Sequence, residues 1–170
     1  AAHARSASRR RHEMKRAWLI VFVALAQSDC TPKMSERARF FGRVDFADQR
    51  GPRFAWSATG FTTTCEGTGL RFTLVDLPKH PDPEGRTWLN RWRVVLDGQP
   101  PQEIVAEVDR VIWTSGPLAK GDHRLTVFKQ TEAFVGEALL TQLACDGTFV
   151  TPDPPPPRRL EFIGDSLTTG

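Results

Sequence analysis

The chain has 170 residues, 39% of them hydrophobic, which is enough for one domain with an apolar core and too few for two full domains. Its formal net charge is +3, but residues 1–26 hold six of the 23 basic residues and one of the 20 acidic residues, so the remainder is close to −2. This distribution argues against a basic nucleic-acid-binding surface. Three cysteines without C-x-x-C spacing and four scattered histidines give no metal-site pattern, and no cofactor is implied.

The N-terminal 26 residues have the regions of a secretory signal peptide. After Met14, the pair Lys15-Arg16 precedes ten apolar residues, which end in an A-x-A cleavage site at Ala24-Leu25-Ala26. The apolar run is shorter than the roughly 20 residues that a membrane-spanning helix needs, so we predict no stable membrane span. We therefore predict a signal peptide with an upstream extension over residues 1–26, a mature N-terminal segment over 27–36, and a secreted or periplasmic protein.

Residues 37–150 are predicted to form an all-β domain, because short runs rich in Val, Ile, Thr, Phe and Trp alternate with turn residues. The runs cover residues 39–46, 53–65, 70–76, 91–98, 103–108, 110–115, 123–131 and 138–147. Turn signals lie at Asp97-Gly98, Gly116-Pro117, Lys120-Gly121-Asp122 and Asp146-Gly147. Apolar residues at every second position, as at Leu70, Phe72 and Leu74, place one face in a core. About eight short antiparallel strands predict a β-sandwich, most plausibly a jelly roll.

The three cysteines allow different interpretations of their chemical state. Export would let Cys65 and Cys145, both in strand-like runs, form a disulfide, and two small buried side chains are an equally good interpretation. Cys30 raises the alternative of a lipoprotein. That alternative is less favoured, because the preceding Gln27-Ser28-Asp29 makes a poor lipobox.

Two proline-rich segments interrupt the strand-like runs. The loop over residues 77–87 is the longest irregular connection, and long loops on rigid sandwiches are common binding sites. Residues 151–159 contain four consecutive prolines, which cannot join a sheet interior and favour an extended linker between domains. A second domain is therefore predicted to start at residues 160–170.

The last residues have the elements that present a nucleophilic serine. An apolar strand over Leu160 to Ile163 leads into Gly164-Asp165-Ser166, followed by residues that can open a helix. A tight turn of this kind exposes the serine oxygen and aims its backbone N–H at the oxyanion that forms during acyl transfer. Ser166 is therefore the candidate nucleophile.

At this point a family resemblance becomes specific. The stretch FIGDSLTTG resembles the first block of the GDSL, or SGNH, hydrolases, and the region before it is similar to the N-terminal jelly-roll domain of carbohydrate esterase family 2. The matching segments occur in the order of the family over about residues 41–170. They are GRVDF, GPRFAWSATGF, GTGLRFTL, VVLDG, GPLAKGDHRLTVFKQTEAFVGEALL and RRLEFIGDSLTTG.

The resemblance implies a β-sandwich in front of a three-layer α/β hydrolase domain that removes acetyl groups from plant polysaccharide, of the acetylated xylan or glucomannan type. Ser166 would attack the acetyl carbonyl and its backbone N–H would contribute to the oxyanion hole. The family's oxyanion glycine and asparagine and its histidine base belong to later blocks. We therefore expect a C-terminally truncated hydrolase domain and a chain that is inactive by itself.

A free-standing sandwich that binds polysaccharide or a partner is the alternative function. Four tryptophans could stack on sugar rings: Trp56, Trp88, Trp92 and Trp113. Trp92 and Trp113 fit inward-facing strand positions and are predicted to be core residues. Trp88, next to the long loop, is the candidate for substrate contact.

Other titratable residues are weaker candidates for catalysis. The pairs Asp45/Asp48 and Asp82/Glu84 resemble glycosidase carboxylates only in their spacing, because acids in loops are usually solvated. His80 and His123 lie in a loop and at a turn, and neither has an evident partner that would orient it as a base.

Overall fold

The computed structural model describes residues 33–77, 81, 83–106, 109–154 and 157. Two short helical segments are present there, α1 (Met34–Arg37) and a 3₁₀ helix (Ala133–Val135). The nine strands in these residues are β1 (Arg39–Phe41), β2 (Val44–Asp45), β3 (Arg53–Phe54), β4 (Gly60–Asp76), β5 (Arg91–Leu96), β6 (Gln102–Val105), β7 (Arg110–Thr114), β8 (Gly121–Lys129) and β9 (Ala138–Val150). All of their pairings are antiparallel.

Strand β4 belongs to two layers. Its first part, residues 60–67, pairs with β8, and its second part, residues 71–75, pairs with β7 on the same edge. Strand β9 follows the opposite edge along both parts, with register shifts at Gly67/Leu70 and Thr73/Leu74. One layer therefore has the order β1-β4-β8-β5-β6, and the other has the order β7-β4-β9-β3-β2.

Aromatic side chains fill the space between the layers. Phe54 of β3 meets Trp92 of β5 edge to face, with ring centroids 5.6 Å apart, and both side chains are fully buried. Phe61 and Phe72, from the two parts of β4, are 5.9 Å apart, and Phe72 stacks on Trp113 at 5.3 Å. Contacts between strands of different layers are what define a sandwich. The predicted all-β class, the antiparallel sandwich and the core positions of Trp92 and Trp113 are confirmed.

The disulfide that the sequence left open is present. Cys65 and Cys145 are bonded, with their Cα atoms 5.8 Å apart and a sequence separation of 80. Cys65 lies on the first part of β4, just before the register shift, whereas Cys145 pairs beyond it on β9 opposite Leu70. The bond therefore fastens the two long strands where they pass from one layer to the other.

Four details of the predicted strands and turns are wrong. The run 53–65 is interrupted by a loop at residues 55–59, and β4 continues through residues 66–69, where we expected a break between two strands. The run 39–46 divides at Gly42, whose φ is +74°. The turn expected at Asp146-Gly147 lies inside β9: a Cβ atom on Gly147 would be 2.2 Å from the Glu66 carbonyl oxygen, so this glycine permits close approach of two strands.

Other local predictions are confirmed. Leu70, Phe72 and Leu74 are all buried, as their alternation predicts. The connection from β5 to β6 turns at Asp97 and Gly98. Their φ values of +52° and +69° are in the left-handed region, as is typical of an Asp-Gly turn.

Candidate functional site

The predicted catalytic residue lies outside the described residues. This holds for Ser166 and the whole of residues 160–170, and equally for the predicted signal peptide, Cys30, His80 and Asp82. The predicted linker over 151–159 is described at residues 151–154 and 157, which have no regular secondary structure. Among the described residues, the candidate binding surface carries two exposed tryptophan side chains, Trp56 and Trp88.

Trp88, the predicted substrate contact, lies in the connection that leads into β5. Its side chain is 50% exposed, and the Arg86 guanidinium lies 5.5 Å from the centroid of its ring. Arg86 is also paired with Glu84, at 2.9 Å between Nη2 and Oε2. A cation placed over an indole is attracted by the negative face of the ring. The guanidinium therefore covers part of Trp88, and the exposed half of the side chain is available to a ligand.

Trp56 has the same arrangement on a different loop. It is 49% exposed, and the Arg43 guanidinium lies 5.9 Å from its ring centroid. The loop is closed by Thr59, whose hydroxyl donates to the Trp56 carbonyl oxygen at 2.6 Å, and by Ala58 in the left-handed conformation, with φ +58°. The sequence placed Trp56 inside a strand. The small residues Ser57 to Gly60 were the signal that indicated a turn there.

A buried lysine fastens the end of the sandwich that carries both tryptophan loops. Lys129 is fully buried, and its Nζ donates to the carbonyl oxygens of Thr131 (2.6 Å) and Glu132 (3.0 Å) and to the Thr131 hydroxyl (3.1 Å). The Thr131 hydroxyl donates in turn to Asn90, two residues after Trp88, at 3.0 Å. The Ser57 hydroxyl, next to Trp56, donates to the Glu132 carboxylate at 3.0 Å. Both exposed indoles therefore stand on loops held by one hydrogen-bonded network.

The carboxylates singled out by the sequence are engaged by arginines. Asp48 pairs with Arg50 at 2.7 Å, and hydrogen bonds from the Arg50 side chain and backbone lower the pKa of Asp48 to about 2. Backbone donation from Ala47 and the Arg53 guanidinium lower the pKa of Asp45. A glycosidase needs one carboxyl group that stays protonated to act as an acid, and neither aspartate fits that role.

Both ring nitrogens of His123 face hydrogen-bond acceptors. Its Nδ1 lies 2.8 Å from an Asp97 carboxylate oxygen and its Nε2 lies 2.7 Å from the Ala119 carbonyl oxygen. Both partners accept hydrogen bonds, so the geometry favours the form with a proton on each ring nitrogen, and hydrogen bonding to Asp97 first and to Ala119 second raises the pKa of His123. An imidazole with both nitrogens donating has no lone pair for general-base catalysis.

Neither metal ligation nor a membrane span is found in the part of the chain that the structure describes. No group of three His, Cys, Asp or Glu side chains is arranged there to hold a metal ion. No helix in these residues is long and apolar enough to cross a membrane.

Comparison with known proteins identifies relatives of the sandwich domain. The family described as Carbohydrate esterase 2 N-terminal matches residues 40–155. The Cellulase/esterase CelE of Acetivibrio thermocellus is 35% identical over 132 residues, covering 75% of this chain and 15% of that protein. The Acetylxylan esterase / glucomannan deacetylase of Cellvibrio japonicus is 27% identical over 132 residues, covering 76% of this chain and 34% of that protein.

A solved structure gives the same relationship in three dimensions. A family two carbohydrate esterase from Clostridium thermocellum, in complex with cellohexaose, superimposes with a TM-score of 0.52 at 30% identity, over 71% of this chain and 34% of that one. The chain thus spans about a third or less of these relatives. The family match extends from β1 through β9, so the chain belongs to carbohydrate esterase family 2, as its N-terminal domain.

Proposed function

We propose that the chain is the N-terminal part of a secreted esterase that removes acetyl groups from plant polysaccharide of the acetylated xylan or glucomannan type, with Ser166 as the nucleophile. The family match over residues 40–155 is the observation that carries this proposal. Ser166 follows the matched region by eleven residues, in the Gly-Asp-Ser context that the resemblance predicts. The name of the Cellvibrio japonicus relative, Acetylxylan esterase / glucomannan deacetylase, supports the substrate class.

The proposed reaction needs groups besides the Ser166 nucleophile. The Ser166 oxygen attacks the acetyl carbonyl carbon, the sugar oxygen leaves with a proton, and water releases acetate from the acyl-serine. A base must take the serine proton and a donor must give one to the sugar oxygen. His123 is committed to Asp97 and Ala119, so it cannot be that base. We therefore expect the base and the further oxyanion donors to come from polypeptide other than these 170 residues.

The test compares two proteins made from the same gene. We expect the 170-residue chain to show no Ser166-dependent hydrolysis of 4-nitrophenyl acetate, and the product of the complete reading frame to release acetate from acetylated xylan. Ser166→Ala in the longer protein should abolish that release. Acetate release that survives Ser166→Ala, or turnover by the short chain that Ser166→Ala removes, would contradict the proposal.

Secretion is tested by the mature N-terminus. We propose cleavage after Ala26, so N-terminal sequencing of the protein from the culture medium or periplasm should begin at Gln27. A mature chain that begins at a lipid-modified Cys30 would favour the lipoprotein alternative. An uncleaved chain would refute both.

Polysaccharide binding by the sandwich itself is the second candidate function, and half-exposed Trp88 is the observation that favours it. Titration calorimetry of the 170-residue chain with acetylated xylan, glucomannan and cellulose should detect heat that Trp88→Ala reduces. Phe134→Ala is the matched control, because Phe134 is 79% exposed and belongs to neither tryptophan loop. No heat with any polymer, or equal loss in the two variants, would refute this function.

A further inference from the structure

A cavity lies beside Trp56, and its lining does not include Trp88. Trp56 forms one wall of an open cavity of about 530 Å³, between the turn that precedes β2 and the residue before β9. The polar side chains of its lining are Arg43, Asp45, Arg53 and Glu137. Sites for small ligands are typically concavities of roughly 300–1,000 Å³ with an apolar wall and a few well-placed polar groups.

The polar wall is a carboxylate–guanidinium–carboxylate row. Arg53 donates through Nη2 to Asp45 (2.8 Å) and through Nη1 to Glu137 (3.3 Å). These side chains remain 36%, 46% and 41% exposed, respectively, so they are accessible from the cavity. Each carboxylate has lone pairs beyond those that accept from Arg53, and these can accept hydrogen bonds from ligand hydroxyl groups.

Regular structure fixes the positions of these groups. Asp45 lies opposite Arg53 in the β2–β3 pair, and β3 is anchored in the core by fully buried Phe54. A Cβ atom on Gly42 would be 2.8 Å from the Thr59 side chain, so this glycine lets the turn before β2 pack against the Trp56 loop. Both walls of the cavity are thus held before any ligand arrives, which reduces the entropic cost of binding.

The balance of charge indicates the ligand class. Arg53 is matched by two carboxylates and Arg43 lies over the Trp56 ring, so the row offers hydrogen-bonding partners without a net positive charge that would select an anion. An exposed indole offers an apolar face to the C–H face of a pyranose ring, while the row bonds to hydroxyl groups at the edge of the ring. We infer that the Trp56 cavity binds a neutral pyranose unit of a plant polysaccharide, as a binding site distinct from Trp88 and from the proposed ester-cleaving centre.

The binding test uses the 170-residue chain in a Trp88→Ala background, so that any Trp88 site is absent. Xylohexaose and cellohexaose are the probes, followed by titration calorimetry and by the indole N–H signals in ¹H–¹⁵N spectra. We expect binding of at least one probe, with a shift of the Trp56 signal, which Trp56→Phe identifies. We expect the added Trp56→Ala change to weaken binding about tenfold or more.

A second variant separates binding from folding. Glu137→Gln keeps the size of the side chain and removes a charged acceptor, and we expect it to weaken binding about threefold with an unchanged thermal midpoint. Phe134→Ala, outside the cavity, should leave binding unchanged.

Several outcomes would overturn the inference. These are no binding in the Trp88→Ala chain, an unshifted Trp56 signal, equal affinity after Trp56→Ala, and tighter binding of tri-galacturonate than of the neutral probes. Because Ser166 is unchanged throughout and no ester is cleaved, failure here would leave the proposed esterase function intact, and failure of the acetate-release assay would leave this site intact.

Discussion

Removing the disulfide between β4 and β9 should cost the domain a large part of its stability. The change is Cys65→Ala with Cys145→Ala, made in a Cys30→Ser chain so that no other thiol is present. The bond closes a loop of 80 residues. In the chain-entropy account, closing a loop of that length restricts the unfolded chain by about 4.5 kcal/mol at 25 °C. The free energy of unfolding of a native domain is about 5–15 kcal/mol in total, so the variant should be close to unfolding.

Urea denaturation followed by tryptophan fluorescence measures this effect, because Trp92 is fully buried in the core and reports its exposure. We expect the free energy of unfolding to fall by about 3–5 kcal/mol, and the dependence on urea to steepen because the unfolded chain without its cross-link is more expanded. Dithiothreitol added to the Cys30→Ser chain should reproduce both changes.

Two results would refute the reasoning. One is a loss of less than about 1 kcal/mol, which would mean that the cross-link does not restrict the unfolded chain as the loop length requires. The other is the titration of two free thiols in the unreduced Cys30→Ser chain, which would show that the bond is absent in solution.

Three further changes test the packing. Lys129→Met should lower the free energy of unfolding by about 1–3 kcal/mol, since it removes the buried ammonium that donates to the Thr131 and Glu132 carbonyl oxygens. Lys120→Met, at an exposed position, should not lower it, and equal urea midpoints for the two variants would contradict this. Gly147→Ala should destabilise by about 1–3 kcal/mol because its Cβ meets the backbone of β4, whereas Gly121→Ala meets nothing within 4 Å and serves as the control. The folded-state pKa of His123 is raised, so its pairing stabilises the fold fully below the unfolded pKa of about 6.5 and is lost as pH rises through the folded value. As pH rises above about 6.5, the urea midpoint should therefore fall more steeply than it does in His123→Gln. Identical pH profiles would show that the pair contributes nothing.

The fold was predictable wherever a strand has one buried face. The apolar residues Leu70, Phe72 and Leu74 predict the buried face of their strand, because successive side chains of a strand point to opposite sides. Trp92 follows the same rule. The Asp-Gly turn at Asp97 was equally readable, because few other residue pairs adopt its backbone conformation without strain.

The continuity of β4 was not predictable from local sequence. The residues Glu66-Gly67-Thr68-Gly69 resemble a turn, but their glycines serve close packing: a Cβ on Gly67 would be 2.5 Å from the Asp146 carbonyl oxygen. That carbonyl comes from a strand almost 80 residues away in the sequence, so no short window contains the reason. The burial of Lys129 has a similar origin, because it lies opposite Trp92 in the β5–β8 pair.

The candidate site also has parts that the local sequence predicts and parts that it does not. Trp88 was singled out for its position beside an irregular loop, and it is half exposed there. Its contact with substrate stays a prediction. The Trp56 cavity depends on Asp45, Arg53 and Glu137, which only the β2–β3–β9 pairing brings together. The role of Ser166 comes from the resemblance and stays a prediction.

The position of β9 has a consequence for how the chain is made. It is the last strand among the described residues, and it pairs with both β3 and β4. Until residues 138–150 have left the ribosome, the second part of β4 and the strand β3 each lack their β9 neighbour, and open strand edges invite association between chains. Formation of the domain therefore waits for the end of its synthesis, and a fragment that stops before residue 138 should accumulate as an insoluble or chaperone-bound chain.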